Sequence, residues 1–116
     1  MVVDLISRVF NTRNQAHLAH WSESSGYHHE VLGEFYDSLV DILDKFIEAY
    51  QGNFGKITDI KLKSTDKEIL KCIEEDIVWL TENRDEVTEE ICALENIIDE
   101  LVALYLSTRF KLKQLK

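Results

Sequence analysis

The chain has 116 residues and a formal net charge of −9, a length that supports one domain around a single core. Hydrophobic residues make up 45% and charged residues 30%, the balance of a folded chain rather than a disordered one. Proline is absent and no glycine follows Gly55, which excludes a turn-rich β-sandwich or barrel and favours long helices.

The first helix is predicted from Val3 to Trp21, where Leu5, Ile6, Val9, Phe10 and Ala16 recur at helical spacing. Ser22-Glu23-Ser24-Ser25-Gly26 interrupts it. A second helix follows from His28 to Gln51, with Leu32, Phe35, Leu39, Ile42, Phe46 and Tyr50 on one stripe and Gly52 placed to close it. Residues 52–64 read as an extended connection. Thirteen extended residues reach roughly 43 Å, and a 24-residue helix is about 36 Å long, so this segment can cross the bundle. A capping box, Thr65 with Glu68, opens the third helix, whose stripe is Ile69, Ile73, Ile77 and Leu80. Asn83 and Glu86 offer a similar start for the fourth, which carries Val87, Ile91, Leu94, Ile98, Leu101 and Tyr105. The expected fold is an all-α four-helix bundle of one domain, residues 1–116. A long crossover between helices 2 and 3 would give the ferritin-like arrangement; a simple up-down bundle with a loose middle loop is the alternative.

Charge is unevenly spread. Residues 1–60 carry 9 acids and 4 bases, residues 61–106 carry 13 acids and 5 bases, and residues 107–116 carry four bases and no acid. An acidic body repels phosphate backbones and disfavours nucleic acid as a partner. The basic tip reads as cations complementing a helix C-terminus. No apolar run approaches the roughly 18 residues of a membrane span, and no basic segment followed by an apolar core opens the chain, so a cytoplasmic protein is expected. Cys72 and Cys92 read as reduced, mostly buried thiols, with a disulfide between neighbouring helices as the alternative.

All four histidines fall between residues 17 and 29: His17, His20, His28 and His29. A tight hairpin brings them to one end of a helix pair, where converging imidazoles suit a transition metal. Ordinary hydrogen-bonded histidines at a helix junction are the alternative. Asp37, Asp41, Asp44 and Glu48 line the second helix opposite its apolar stripe. They are either a solvated face or, if that face meets another subunit, a place for something cationic. Glu74-Glu75-Asp76 and the acids that follow read mostly as a solvated face. Asp99 or Glu100 is expected to be partly buried within its apolar run, and Asp99 is kept as a site candidate.

His20-Trp21, then His29-Glu30, then Asp44 and Glu48 resemble the Dps or mini-ferritin family. That resemblance implies a site across a two-fold subunit interface, with His20 and His29 from one chain and Asp44 and Glu48 from the other. It implies a homo-oligomer, a divalent iron, zinc or manganese ion and, in an enzymatic version, Fe(II) oxidation. The family's additional aspartate falls on Gly33 here; Asp37, His17 and Asp99 are possible additional ligands. The Asn14–Trp21, Gly33–Tyr36 and Asn96–Glu100 segments are similar to a group of short bacteriophage proteins. That likeness implies the cytoplasm of an infected bacterium and a second reading, a non-enzymatic accessory protein. Such a protein would sequester a small ligand, such as a nucleotide signal, or bind a host protein in counter-defence. Arg13, His17, His20, Trp21 and Tyr27 would line its pocket between subunits.

Overall fold

A computed structural model describes residues 1–116. Four helices form, α1 (Val2–Ser22), α2 (Gly26–Phe54), α3 (Ile69–Thr88) and α4 (Cys92–Gln114). The elongated body measures 43 × 25 × 21 Å. α1 packs on α2 and α3, and α4 packs on the same two. Contacts along each pair fix the directions. His20 meets His29 between α1 and α2, while Arg8 and Thr12 of α1 reach Asp76 of α3. Lys45 reaches Glu100 between α2 and α4, and Arg84 reaches Asp99 between α3 and α4. Neighbours are therefore antiparallel, and the diagonal pair α2 and α3 runs parallel. Residues 55–68 must climb the bundle to join that pair, as the length of the connection predicted.

The helical stripes supply the core. Leu5, Val9, Leu32, Phe35, Leu39, Phe46, Ile73, Leu80, Leu94, Ile98, Leu101 and Tyr105 are all within 2% of full burial. Together they make one apolar cluster spanning the four helices, the main stabilising term for a chain of this size.

The helix ends differ from expectation, each for an identifiable reason. α2 runs past Gly52 to Gly55, whose positive φ of 91° is open to glycine and whose N–H donates to the Gln51 carbonyl. Thr65 does not cap α3, because its N–H and hydroxyl are taken by the Asn11 side chain, at 2.8 and 3.0 Å. Glu68 becomes the N-cap and accepts from the Leu70 N–H. Asn83 starts no helix; its amide donates back to the Trp79 carbonyl at 2.9 Å and α3 continues to Thr88.

The crossover is held by a ladder on α1. Ser7, Asn11 and Gln15 lie at i, i+4 and i+8, one face of the helix. Ser7 Oγ accepts from the Lys63 N–H at 2.8 Å, and the Gln15 amide donates to the Thr65 carbonyl at 2.7 Å. Three side chains thus do for the crossover what a neighbouring strand would do.

The α3–α4 turn uses two consecutive left-handed glutamates, Glu89 (φ 51°) and Glu90 (φ 59°). A Cβ in that region costs on the order of 1 kcal/mol per residue. Glu89→Gly is therefore expected to stabilise the protein by about 1 kcal/mol, read as a higher urea midpoint with unchanged slope. A midpoint that falls would show that the glutamate side chain supports the turn.

Candidate metal-binding corner and the α1–α2 face

The α1–α2 hairpin is short because Ser25 caps α2 directly, accepting from the His28 N–H at 3.2 Å. This brings the last turn of α1 against the first of α2. His20 Nδ1 lies 2.5 Å from the His29 carbonyl oxygen, and His29 Nδ1 lies 2.6 Å from the His20 carbonyl oxygen. A carbonyl only accepts, so both Nδ1 atoms carry the hydrogen. In the neutral rings each Nε2 then keeps its lone pair. The rings stack at 3.7 Å between centroids, and neither Nε2 has a partner within the chain. A second-sphere carbonyl on the other ring nitrogen is the usual setting of a metal-ligating histidine.

Gly33 makes this arrangement possible. A Cβ at that position would stand 3.0 Å from His20 Cε1 and 3.3 Å from its Nδ1. The glycine leaves room for the His20 ring.

The other sequence candidates divide. Asp37, Asp41, Asp44 and Glu48 are all exposed and make no ion pair or hydrogen bond. Asp44 stands 15 residues from His29, about 22 Å along α2. Within one chain no three His, Cys, Asp or Glu side chains converge to hold a metal. Asp99 is neither buried nor free. It takes a two-pronged contact from Arg84, 2.7 Å at Nε and 2.8 Å at Nη2, with 55% of its side chain exposed. That guanidinium holds the Asp99 carboxyl below its usual range. Glu100 is exposed as well, paired with Lys45. The cysteines are unpaired; Cys72 is buried as expected, but Cys92 is exposed at the start of α4.

Within one chain, most of the residues expected to line an inter-subunit ligand pocket pack on one another. Arg13 lies over the Tyr36 ring at 5.0 Å, Tyr36 stacks on His17 at 4.2 Å, and His17 meets Trp21 at 4.6 Å. Trp21 ends the stack with 68% of its surface exposed. Tyr27 takes no part and packs on His28, whose Nε2–H donates to the Leu115 carbonyl at 2.7 Å and ties down the α4 terminus. None of the four cavities is lined by these five residues. One of those cavities, 320 Å³, lies lower on the same α1–α2 face between Ile6, Phe10, Leu43, Ile47, Ile60 and Leu62, with Asp44 on its rim.

Asp76 is the polar residue that sequence reading placed wrongly. It is 4% exposed and accepts from Thr12, from the Tyr105 hydroxyl at 2.7 Å and from Arg8 at 3.3 Å. Its register was the available signal: residues 73, 76 and 80 share the buried face of α3. The 260 Å³ cleft beside it, between α1, the crossover and α3, holds two ion pairs of its own, Arg8 with Asp76 and Lys67 with Glu75.

No helix is long and apolar enough to cross a membrane. Residues 20–112 match the model of a family of unknown function (DUF5856), and the chain belongs to that family. No curated protein and no solved structure matches it.

Proposed function

We propose that the chain is a ferritin-like, self-associating protein that binds a divalent transition metal at a site shared between two copies. His20 and His29 would supply Nε2 ligands from one copy, and Asp44 and Glu48 carboxylate oxygens from the other. One observation carries this reading: both imidazoles have Nδ1 committed to a backbone carbonyl and Nε2 uncommitted, on adjacent stacked rings. The connectivity, two antiparallel pairs joined by one long crossover, supports it, as do two exposed carboxylates one turn apart with no cation of their own. Mixed nitrogen and oxygen donors suit iron, zinc or manganese. The metal would supply Lewis acidity or, as iron, redox capacity. The protein's part is to fix both imidazole tautomers and hold the rings still.

The test is metal content and uptake. Native protein purified without chelator is expected to carry or take up zinc or iron by elemental analysis, and His20→Ala and Glu48→Ala are each expected to abolish it. Loss in His20→Ala with full retention in Glu48→Ala would place the oxygen ligands elsewhere. No uptake by the native protein would sink the proposal.

A further inference from the structure

The α1–α2 face is unlike at its two ends. The hairpin end carries Arg13, His17, His20, His29 and the exposed indole of Trp21. The opposite end carries the 320 Å³ apolar groove, with Ile60 47% and Leu62 55% exposed, and the carboxylates of Asp44 and Glu48. No cation of the same chain pairs with Asp37, Asp41, Asp44 or Glu48. A large exposed aromatic near Arg13 and an open apolar groove rimmed by Asp44, on one face, are the two halves of a contact.

We infer that a second copy of this chain covers the face in antiparallel fashion, with Trp21 of each copy seated in the Ile6–Phe10–Leu43–Ile47–Ile60–Leu62 groove of the other. A two-fold axis lying in the face, perpendicular to the helices and level with Asp37, carries each hairpin end onto the other end. Asp37 is about halfway between His29 and Asp44 along α2, so one operation seats both tryptophans. Such a contact is isologous and closes at the dimer. The crossover gains a role from this: Ile60 and Leu62, left exposed in the single chain, become one wall of the partner's indole pocket. Trp21, fixed against His17, is a rigid anchor of the kind that dominates interfaces. The inference rests on the shared-site reading for its choice of face, but Trp21 and the groove need no metal to meet.

The experiment uses the full chain in chelator. Sedimentation velocity across micromolar concentrations is expected to show a dimer, and Trp21→Ala and Leu62→Glu to weaken it about 30-fold or more each. Both positions are exposed, so the variants are expected to keep the native thermal unfolding profile of a dilute monomer. In a Trp79→Phe background, Trp21 emission is expected to shift to the blue on dimerisation and to stay red in Leu62→Glu at every concentration. A native monomer, or a dimer indifferent to Trp21→Ala, would overturn the inference. So would a Trp21 emission shift that survives Leu62→Glu, because the indole would then be docking elsewhere. Metal uptake is scored separately: a Trp21-dependent dimer without uptake removes only the metal reading, and uptake with a Trp21-independent dimer removes only this one.

Discussion

Asp76→Ala is expected to cost about 2–6 kcal/mol of folding stability, roughly 1–3 kcal/mol for each of two buried hydroxyls left without an acceptor. The carboxylate joins three helices, and without it the Thr12 and Tyr105 hydroxyls lose their acceptor inside the core. The series should be graded. Tyr105→Phe removes one donor and leaves Asp76 bonded to Thr12, for a loss of about 1 kcal/mol. Arg8→Ala is expected to cost less than about 1 kcal/mol, because Arg8 is 39% exposed and its pair is screened by water. Urea unfolding of the three variants checks the order. Equal losses at Arg8 and Asp76 would mean that the ion pair, not the hydroxyl bonds, dominates.

The same group sets a pH dependence. Burial raises the Asp76 carboxyl above its ordinary value of 3.8, against the pull of Thr12, Tyr105 and Arg8. The folded state therefore binds this proton more tightly than the unfolded state. Its contribution to stability is greatest below 3.8 and is lost as pH rises through the raised value. The stability of the native protein relative to Asp76→Asn is thus expected to be greater at about pH 4 than at about pH 7. Tyr105, pushed well above 10 by the same burial and by Asp76, stays a hydroxyl donor throughout.

Asp76 also shows what a sequence discloses and what it conceals. Helix existence and stripes were legible, since Leu32, Phe35, Leu39 and Phe46 repeat with the helical period and have no other use. The crossover was legible from its length. Helix ends were not, because a cap is a competition: Thr65 had the right chemistry, but Asn11, 54 residues away, claimed it. The α3–α4 turn gave no signal, since glutamates stand where glycine would be expected. His20 and His29 were legible as neighbours from the short hairpin. Their reciprocal Nδ1 bonds were not, because ring orientation depends on tertiary contacts. Asp76 was hidden by company, one acid among three, although its register pointed inward.

Gly33→Asp tests the corner most sharply, because it adds a carboxylate directly beside the His20 ring. By ligand count it should strengthen a metal site. The expected result is the reverse: metal uptake falls as far as in His20→Ala, and stability drops by about 1–3 kcal/mol, the usual cost of overpacking. A Cβ alone would meet His20 Cε1 at 3.0 Å, and the ring is restrained by three other contacts. Its Nδ1–H is held by the His29 carbonyl, one face lies on the His29 ring and its edge meets Tyr36. The gain in helix propensity on replacing a mid-helix glycine, a few tenths of a kcal/mol for aspartate, is too small to offset the displaced imidazole. Gly33→Ala separates the two effects. It brings the full propensity gain of about 1 kcal/mol and only the Cβ contact, so its stability should change little while uptake weakens. Elemental analysis and urea unfolding of both variants decide the matter. Uptake by Gly33→Asp equal to or tighter than native would mean that His20 moves freely, and that the site tolerates a ligand set the native chain does not use.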